Sequence, residues 1–237
     1  MIEILSLPNF LLNFSIILTF SLKSKGYDLD DVIKLAREIG FRVISIYTNG
    51  TLPIETLADT VFVSLDGLRE TNNRLRGDTY DMVMQNIKDS THPSIIINFT
   101  INKRNYTEIE RFCNEIKEIK QIKGIFFYFH TPYYGIDKLF LNLEERRAII
   151  KRILLLKKEG YKILNSTACL KSVYKDNWKR PSKICYVYAN NRLYQCCRAF
   201  GNDEVCKNCG YLGYTEIIYI LKLKPSAIIS ALNYLPR

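Results

Sequence analysis

The chain has 237 residues, 47% of them hydrophobic and 24% charged, with a formal net charge of +10. That length buries a real core, as one large domain or a domain with a small appendage, and the apolar content excludes a disordered chain. Eleven glycines and seven prolines exclude collagen-like and low-complexity classes, and seven cysteines are too few, and odd in number, for a disulfide scaffold.

Residues 5–22 read LSLPNFLLNFSIILTFSL. The run is apolar but carries Pro8, Asn9 and Asn13, and a spanning helix needs about 20 apolar residues, so it is marginal for a span. No basic region precedes it and no small-residue cleavage motif follows it, which argues against a signal peptide. Residues 1–27 are therefore an atypical apolar N-terminal segment with three readings open. It is a buried strand or helix, a membrane segment, or a stretch foreign to the native fold, as a truncated or frameshifted gene would leave. The cysteine usage fits a reducing, cytoplasmic location.

From Asp28 onward the text becomes regular. DLDDVIKLAREIG (28–40) predicts an amphipathic helix with acids in its first turn and Gly40 as its stop. RVISIYT (42–48) is a β-branched strand ending in Asn49-Gly50. A short helix is expected at 53–58. VFVSLDG (61–67) is a second strand, and residues 79–90 are helical. SIIINFTIN (94–102) is a third strand, followed by a helix over 105–120 with Thr107 as its cap. GIFFYFHTP (124–132) is a fourth strand. A long helix over 142–160 stops at Gly160, YKILNS (161–166) is a fifth strand, and 167–175 is helical. This alternation means βαβ units and a parallel sheet, and the continuous apolar strands imply that both sheet faces are covered.

In such sheets the chemistry sits at the C-terminal ends of the strands. Those ends carry Thr48-Asn49-Gly50-Thr51, then Ser64 and Asp66, then Asn98, Thr100 and Asn102, then His130 and Thr131, then Asn165 and Ser166. Either they line a polar site at one mouth of a barrel, or they are polar because they exit into solvent. For His130 a substrate-facing role and a structural one both stand.

YTNGTL (47–52), VSLDGLRETNNRLRG (63–77) and INFTIN (97–102), in this order and spacing, resemble the radical S-adenosylmethionine superfamily. The resemblance runs from about residue 28 to residue 170. It implies that Thr48, Asn49, Ser64, Asp66, Asn98 and Thr100 face an S-adenosylmethionine pocket, with Ser64 and Asp66 near the ribose. A carboxylate suits that place because it accepts hydrogen bonds from a diol. The Arg76-Gly77 pair also matches the family text.

Two family features are missing. The family's CxxxCxxC, which holds a 4Fe-4S cluster, has no counterpart, because no cysteine precedes Cys113. Residues 23–28 contain no GGEP-like turn. Measured against the family barrel, the chain falls short by two βα units, about 60 residues. Without those cluster ligands reductive cleavage of S-adenosylmethionine is not expected of the chain, so no catalytic residue is assigned. An open barrel would expose a strand edge, which invites association.

Residues 1–118 hold 13 Lys and Arg against 16 Asp and Glu, whereas residues 119–237 hold 21 against 8. Five of the seven cysteines fall in CYVYANNRLYQCCRAFGNDEVCKNCGY (185–211). Cys185 and Cys196 flank an apparent hairpin turning at Ala189-Asn190-Asn191, and Cys206-x-x-Cys209 forms a knuckle followed by Gly210. Thiolates so spaced reach one metal, and Cys185, Cys196, Cys206 and Cys209 make one closed site. Adjacent Cys197 points the other way along a strand and is the alternate to Cys196. The segment resembles the SPASM and twitch auxiliary-cluster modules of the same superfamily, with Asn191 at the usual glycine. Four thiolates serve a 4Fe-4S cluster or zinc. Cys113 and Cys169 read as small buried hydrophobes.

The expected architecture is thus α/β. An incomplete (β/α) radical-SAM-type barrel with mostly parallel strands spans 28–175, and a small cysteine-rich module with C-terminal helices spans 180–237. The expected function is that of a truncated or degenerate radical S-adenosylmethionine enzyme with a C-terminal 4Fe-4S cluster, an unknown substrate and an electron donor as partner. The alternative is non-enzymatic: a zinc-knuckle basic module binding RNA or a protein. KRPSK (179–183), with Trp178 and Tyr186 nearby, reads either as an RNA-facing surface or, better, as a solvated basic linker between barrel and module.

Overall fold

The computed structural model of the chain describes residues 15–19, 28–178, 186–189, 191–197 and 199–234. Five strands form one sheet: β1 (Ser15–Thr19), β2 (Val43–Thr48), β3 (Thr60–Ser64), β4 (Ile95–Ile101) and β5 (Ile122–Phe129). Their order is β1-β2-β3-β4-β5, and every neighbouring pair is parallel. Each strand lies beside its predecessor, as in a (β/α) barrel and unlike doubly wound sheets, whose order reverses. Within the N-terminal segment, β1 extends the sheet beside β2. Among the described residues no helix is long and apolar enough to cross a membrane.

Helices α1 (Leu29–Ile39), α2 (Arg69–Arg76), α3 (Tyr80–Asp89) and α4 (Ile109–Ile116) connect the strands. Local chemistry sets their ends. The Asp28 side chain accepts the Asp30 amide at 3.1 Å, and Gly40 closes α1 at φ 103°. Helix α5 (Leu143–Lys158) starts at a capping box of Asn142 and Glu145. Ser166 caps α6 (Thr167–Tyr174) by accepting the Cys169 amide at 3.0 Å. The hairpin β6 (Tyr186–Ala189) and β7 (Arg192–Gln195) is antiparallel, with Asn191 left-handed at φ 60°. Short α7 (Asp203–Lys207), α8 (Leu212–Leu221) and α9 (Pro225–Leu232) complete the chain.

Strand alternation divides the sheet into two buried faces. On one, Phe99 packs against Phe112 of α4 and Phe127, with ring centroids 4.9 and 5.4 Å apart. On the other, the register aligns Tyr47 with Phe62, Ser64 with Asn98, Asn98 with Phe126 and Thr100 with Tyr128. Tyr47 stacks on Phe62 at 4.5 Å. The tail after α9 closes this second face. Tyr234 packs on Phe62 and Phe126, and its carbonyl accepts the Thr60 and Ser94 hydroxyls at 2.6 and 2.7 Å. Aromatic rings thus line that face, and Tyr234 covers its Phe62 and Phe126.

Three expected elements differ. Residues 53–58 form no helix, because other elements take their backbone groups: Asp30 accepts the Leu57 amide at 3.0 Å and Ser90 donates to the Ile54 carbonyl at 2.9 Å. The helix expected over 105–120 begins as a 3-10 turn at Tyr106–Glu108 and ends at Ile116. Its cap is not Thr107, and Asn105 turns inward instead. The strand expected at 161–166 shrinks to one rung, Ile125 beside Ile163. The Asn165 side chain continues that rung, accepting the Phe127 amide at 2.8 Å and donating to the Phe127 carbonyl at 3.0 Å.

Candidate functional site

The C-terminal ends of β2 to β5 bring most of the expected residues to one end of the sheet. Ser64, Asn98 and Thr100 share the face that carries Tyr47 and Tyr128. Thr48 belongs to the opposite face, in register with Val63. It and Asn49 shape the adjoining turn: Thr48 Oγ1 accepts the Gly50 amide at 3.1 Å, and Asn49 Oδ1 accepts the Thr51 amide and hydroxyl at 3.2 and 2.9 Å. Gly50 is required there, since a Cβ would lie 2.7 Å from Val63 and φ is 73°.

Asp66 sits just beyond β3 and is 6% exposed. One oxygen accepts the Thr100 amide at 2.7 Å, and the other pairs with Arg76 at 2.7 and 2.8 Å. Burial pushes its carboxyl up, against the pull of Arg76 and the Thr100 amide. Its amide donates to Asn72 Oδ1 at 2.9 Å, and Asn105 donates to its carbonyl at 2.9 Å. Asp66 thus ties the ends of β3 and β4 to α2. Sequence reasoning missed the residues around it. Glu108 accepts the Leu68 amide at 3.0 Å and the Thr71 hydroxyl at 2.6 Å, supplying the start of α2 with the cap that Leu68 lacks. The signal for Asn105 was present in Asn-Lys-Arg-Asn (102–105), a local turn pattern.

The cysteine knuckle docks at the same end. Gly210 exchanges backbone bonds with the end of β5: its carbonyl accepts the Phe129 amide at 2.9 Å, and its amide donates to Thr131 Oγ1 at 2.9 Å. A Cβ at Gly210 would lie 1.9 Å from the Phe129 carbonyl oxygen. Within the knuckle the Cys209 amide donates to the Cys206 carbonyl at 3.4 Å, and the Tyr211 amide points at Cys209 Sγ from 3.5 Å. Tyr211 also touches Tyr128, with ring centroids 4.9 Å apart, and the Tyr128 hydroxyl bonds that of Tyr47 at 2.9 Å.

The remaining candidates lie as follows. Cys196 is buried with Val187 and Tyr214 in a small apolar cluster, at φ 65°. Cys185 and KRPSK (179–183) lie outside the described residues. Among the described residues no three His, Cys, Asp or Glu side chains gather as a metal site. Cys113 and Cys169 are buried in the main core, and burial pushes the Cys113 thiol up to about 12 and that of Cys169 well above its usual value. His130 pairs through Nε2 with Asp137 at 2.8 Å.

Two features suit bound cofactors. Asn98 Oδ1 is buried without a hydrogen-bond partner, an acceptor that a ligand's donor would satisfy. Cys206 and Cys209 form a turn with an amide aimed at one sulfur, which favours a thiolate ligand.

No family model matches the chain. It is similar to Fe-coproporphyrin III synthase of Methanosarcina barkeri, 36% identical over 143 residues, covering 54% of this chain and 35% of that protein. It is also similar to a probable GTP 3′,8-cyclase of Saccharolobus islandicus, 32% identical over 111 residues, covering 41% of this chain and 34% of that protein. The chain thus spans about a third of the length of the curated relatives it matches. These similarities support the radical S-adenosylmethionine superfamily.

Proposed function

We propose that this chain is a radical S-adenosylmethionine-like iron–sulfur protein whose sheet is a partial (β/α) barrel of that superfamily. The observation that carries the reading is a juxtaposition. The strand ends bearing Ser64, Asn98 and Thr100 and the Cys206-x-x-Cys209 knuckle lie at one end of the sheet, joined through Tyr47, Tyr128 and Tyr211. Names of both relatives are those of radical S-adenosylmethionine enzymes, which supports the same reading.

In this proposal Ser64, Asn98 and Thr100 form the wall of an S-adenosylmethionine site, Thr48 and Asn49 shape its neighbouring rim, and Asp66 fixes the two strand ends beside it. Cys185, Cys196, Cys206 and Cys209 hold a C-terminal 4Fe-4S cluster. Such a cluster, when bound, supplies one-electron chemistry. None of the 237 residues forms CxxxCxxC, so the proposal covers binding of cluster and S-adenosylmethionine by these residues.

Anaerobic reconstitution with iron and sulfide tests the cluster. About four irons per chain and a broad visible absorption, lost in Cys206→Ala, are expected; tightly bound zinc that excludes iron counts against it. Equilibrium dialysis with S-adenosylmethionine tests the pocket. Asn98→Ala should bind about 10-fold more weakly, the equivalent of one lost hydrogen bond of about 1.4 kcal/mol. No binding by the unaltered chain sinks the pocket.

A further inference from the structure

Arg146 is buried, 7% exposed, in the first turns of α5. Its guanidinium donates to four backbone carbonyls from three chain segments. Nε reaches Leu141 at 2.9 Å, Nη1 reaches Cys209 at 3.0 Å, and Nη2 reaches Asn208 at 2.9 Å and His130 at 3.1 Å. Its central carbon lies 5.2 Å from the ring centroids of both Phe129 and Phe140. The Asn142–Glu145 capping box fixes the turn from which the side chain leaves. A buried cation is costly unless its donors are satisfied. Here the rigid fork meets carbonyls that converge on it, two of them from the cysteine knuckle itself.

We propose that Arg146 is the positioning residue of the Cys206-x-x-Cys209 knuckle, holding the Asn208 and Cys209 carbonyls to the end of β5 so that both thiols stand ready for a metal; this rests on the cluster reading above. Lysine cannot replace it. An ammonium is a point donor and cannot span carbonyls that the planar guanidinium reaches in two directions. The Gly210 bonds to Phe129 and Thr131 fix the same turn from its other side, so Arg146 and Gly210 together leave the knuckle one docked position.

The test uses the full chain reconstituted anaerobically, with Arg146→Lys, Arg146→Ala and the control Arg147→Ala, whose guanidinium bonds the Tyr174 carbonyl instead. Metal release to a chelator should speed up about 10- to 100-fold in both Arg146 variants and stay unchanged in Arg147→Ala. Methylguanidinium, filling the gap between Phe129 and Phe140, should slow release in Arg146→Ala, whereas an equal concentration of methylammonium should not. A second readout, in metal-free protein, is hydrogen exchange at the Gly210 and Tyr211 amides, which should lose protection in the Arg146 variants. Unaltered release and unaltered exchange in Arg146→Lys overturn the proposal, as does a loss of protection spread evenly over the chain. If the unaltered chain holds no metal, the cluster reading fails, and amide exchange alone decides the role of Arg146.

Discussion

Asn165 occupies a strand end that reads as part of a polar site, yet its amide is spent on the chain. It is fully buried, and its side chain makes both hydrogen bonds of the equally buried Phe127 backbone. The rung at Ile163 gives β5 a parallel neighbour, and Asn165 extends that ladder by one residue without being a strand. Asn165→Leu keeps the volume and removes both partners. The Phe127 amide and carbonyl would then stay buried and unmade, at about 1–3 kcal/mol each, or about 2–6 kcal/mol together. Against a typical total of about 5–15 kcal/mol this is a large fraction. Asn165→Asp is the sharper probe. One oxygen still accepts the amide, but the other faces the Phe127 carbonyl with no proton between them. The variant should be as unstable as the leucine form at neutral pH and should recover in acid, where a protonated carboxyl donates as Nδ2 did. Urea unfolding followed by circular dichroism measures both, and amide exchange at Phe127 locates the loss. A leucine variant within about 0.5 kcal/mol of the parent, the range of ordinary surface changes, refutes the reasoning.

Two further outcomes follow from the packing at Gly210 and Glu216. Gly210→Ala forces a Cβ onto the Phe129 carbonyl oxygen, so the knuckle should undock, with a loss of about 1–3 kcal/mol and rapid proteolysis near residue 208 as the readout. Glu216 accepts the Ser166 amide at 2.7 Å, and burial raises its carboxyl above the usual value against the pull of Ser166, Cys169 and Lys157. The folded form therefore binds its proton more tightly than the unfolded form. Its contribution is full below the ordinary glutamate value and is lost as pH rises through the raised one. Glu216→Gln should flatten that slope in thermal melts across acid to neutral pH, and an unchanged slope refutes the assignment.

Much of the sheet was legible because parallel strands buried on both faces are apolar for most of their length, and β2 to β5 are. Their alternation with helices predicted βαβ units and a parallel sheet, though not the order of its strands. The polar strand ends were legible as a set and ambiguous one by one. Asp66 and Asn165 serve the backbone, whereas Asn98 keeps a buried acceptor without a partner. No local pattern separates these fates, because each depends on what a segment 34 or 38 residues away offers. Arg146 was invisible for a related reason. In Glu-Glu-Arg-Arg near a helix start it reads as a solvated charge, and the gathering of residues 129–130, 140–141 and 208–209 around it is what buries it.

The arrangement of the mouth has a consequence for how its two sides communicate. Tyr47 is the residue before Thr48-Asn49-Gly50, and Tyr211 follows the knuckle by two residues. Tyr128 touches both, by its hydroxyl and by its ring. Burial holds the Tyr128 phenol well above its usual value, so it stays protonated throughout the ordinary pH range. A shift of the knuckle would press Tyr211 on Tyr128, whose hydroxyl bonds Tyr47 at the strand end beside the S-adenosylmethionine wall proposed for Ser64, Asn98 and Thr100. Packed aromatic rings transmit such shifts because close-packed interiors have little room to absorb them. Metal at the knuckle should thus tighten ligand binding at the wall, and by linkage the ligand should raise the affinity for metal by the same factor, which equilibrium competition with a chelator measures; equal metal affinity with and without S-adenosylmethionine refutes the coupling.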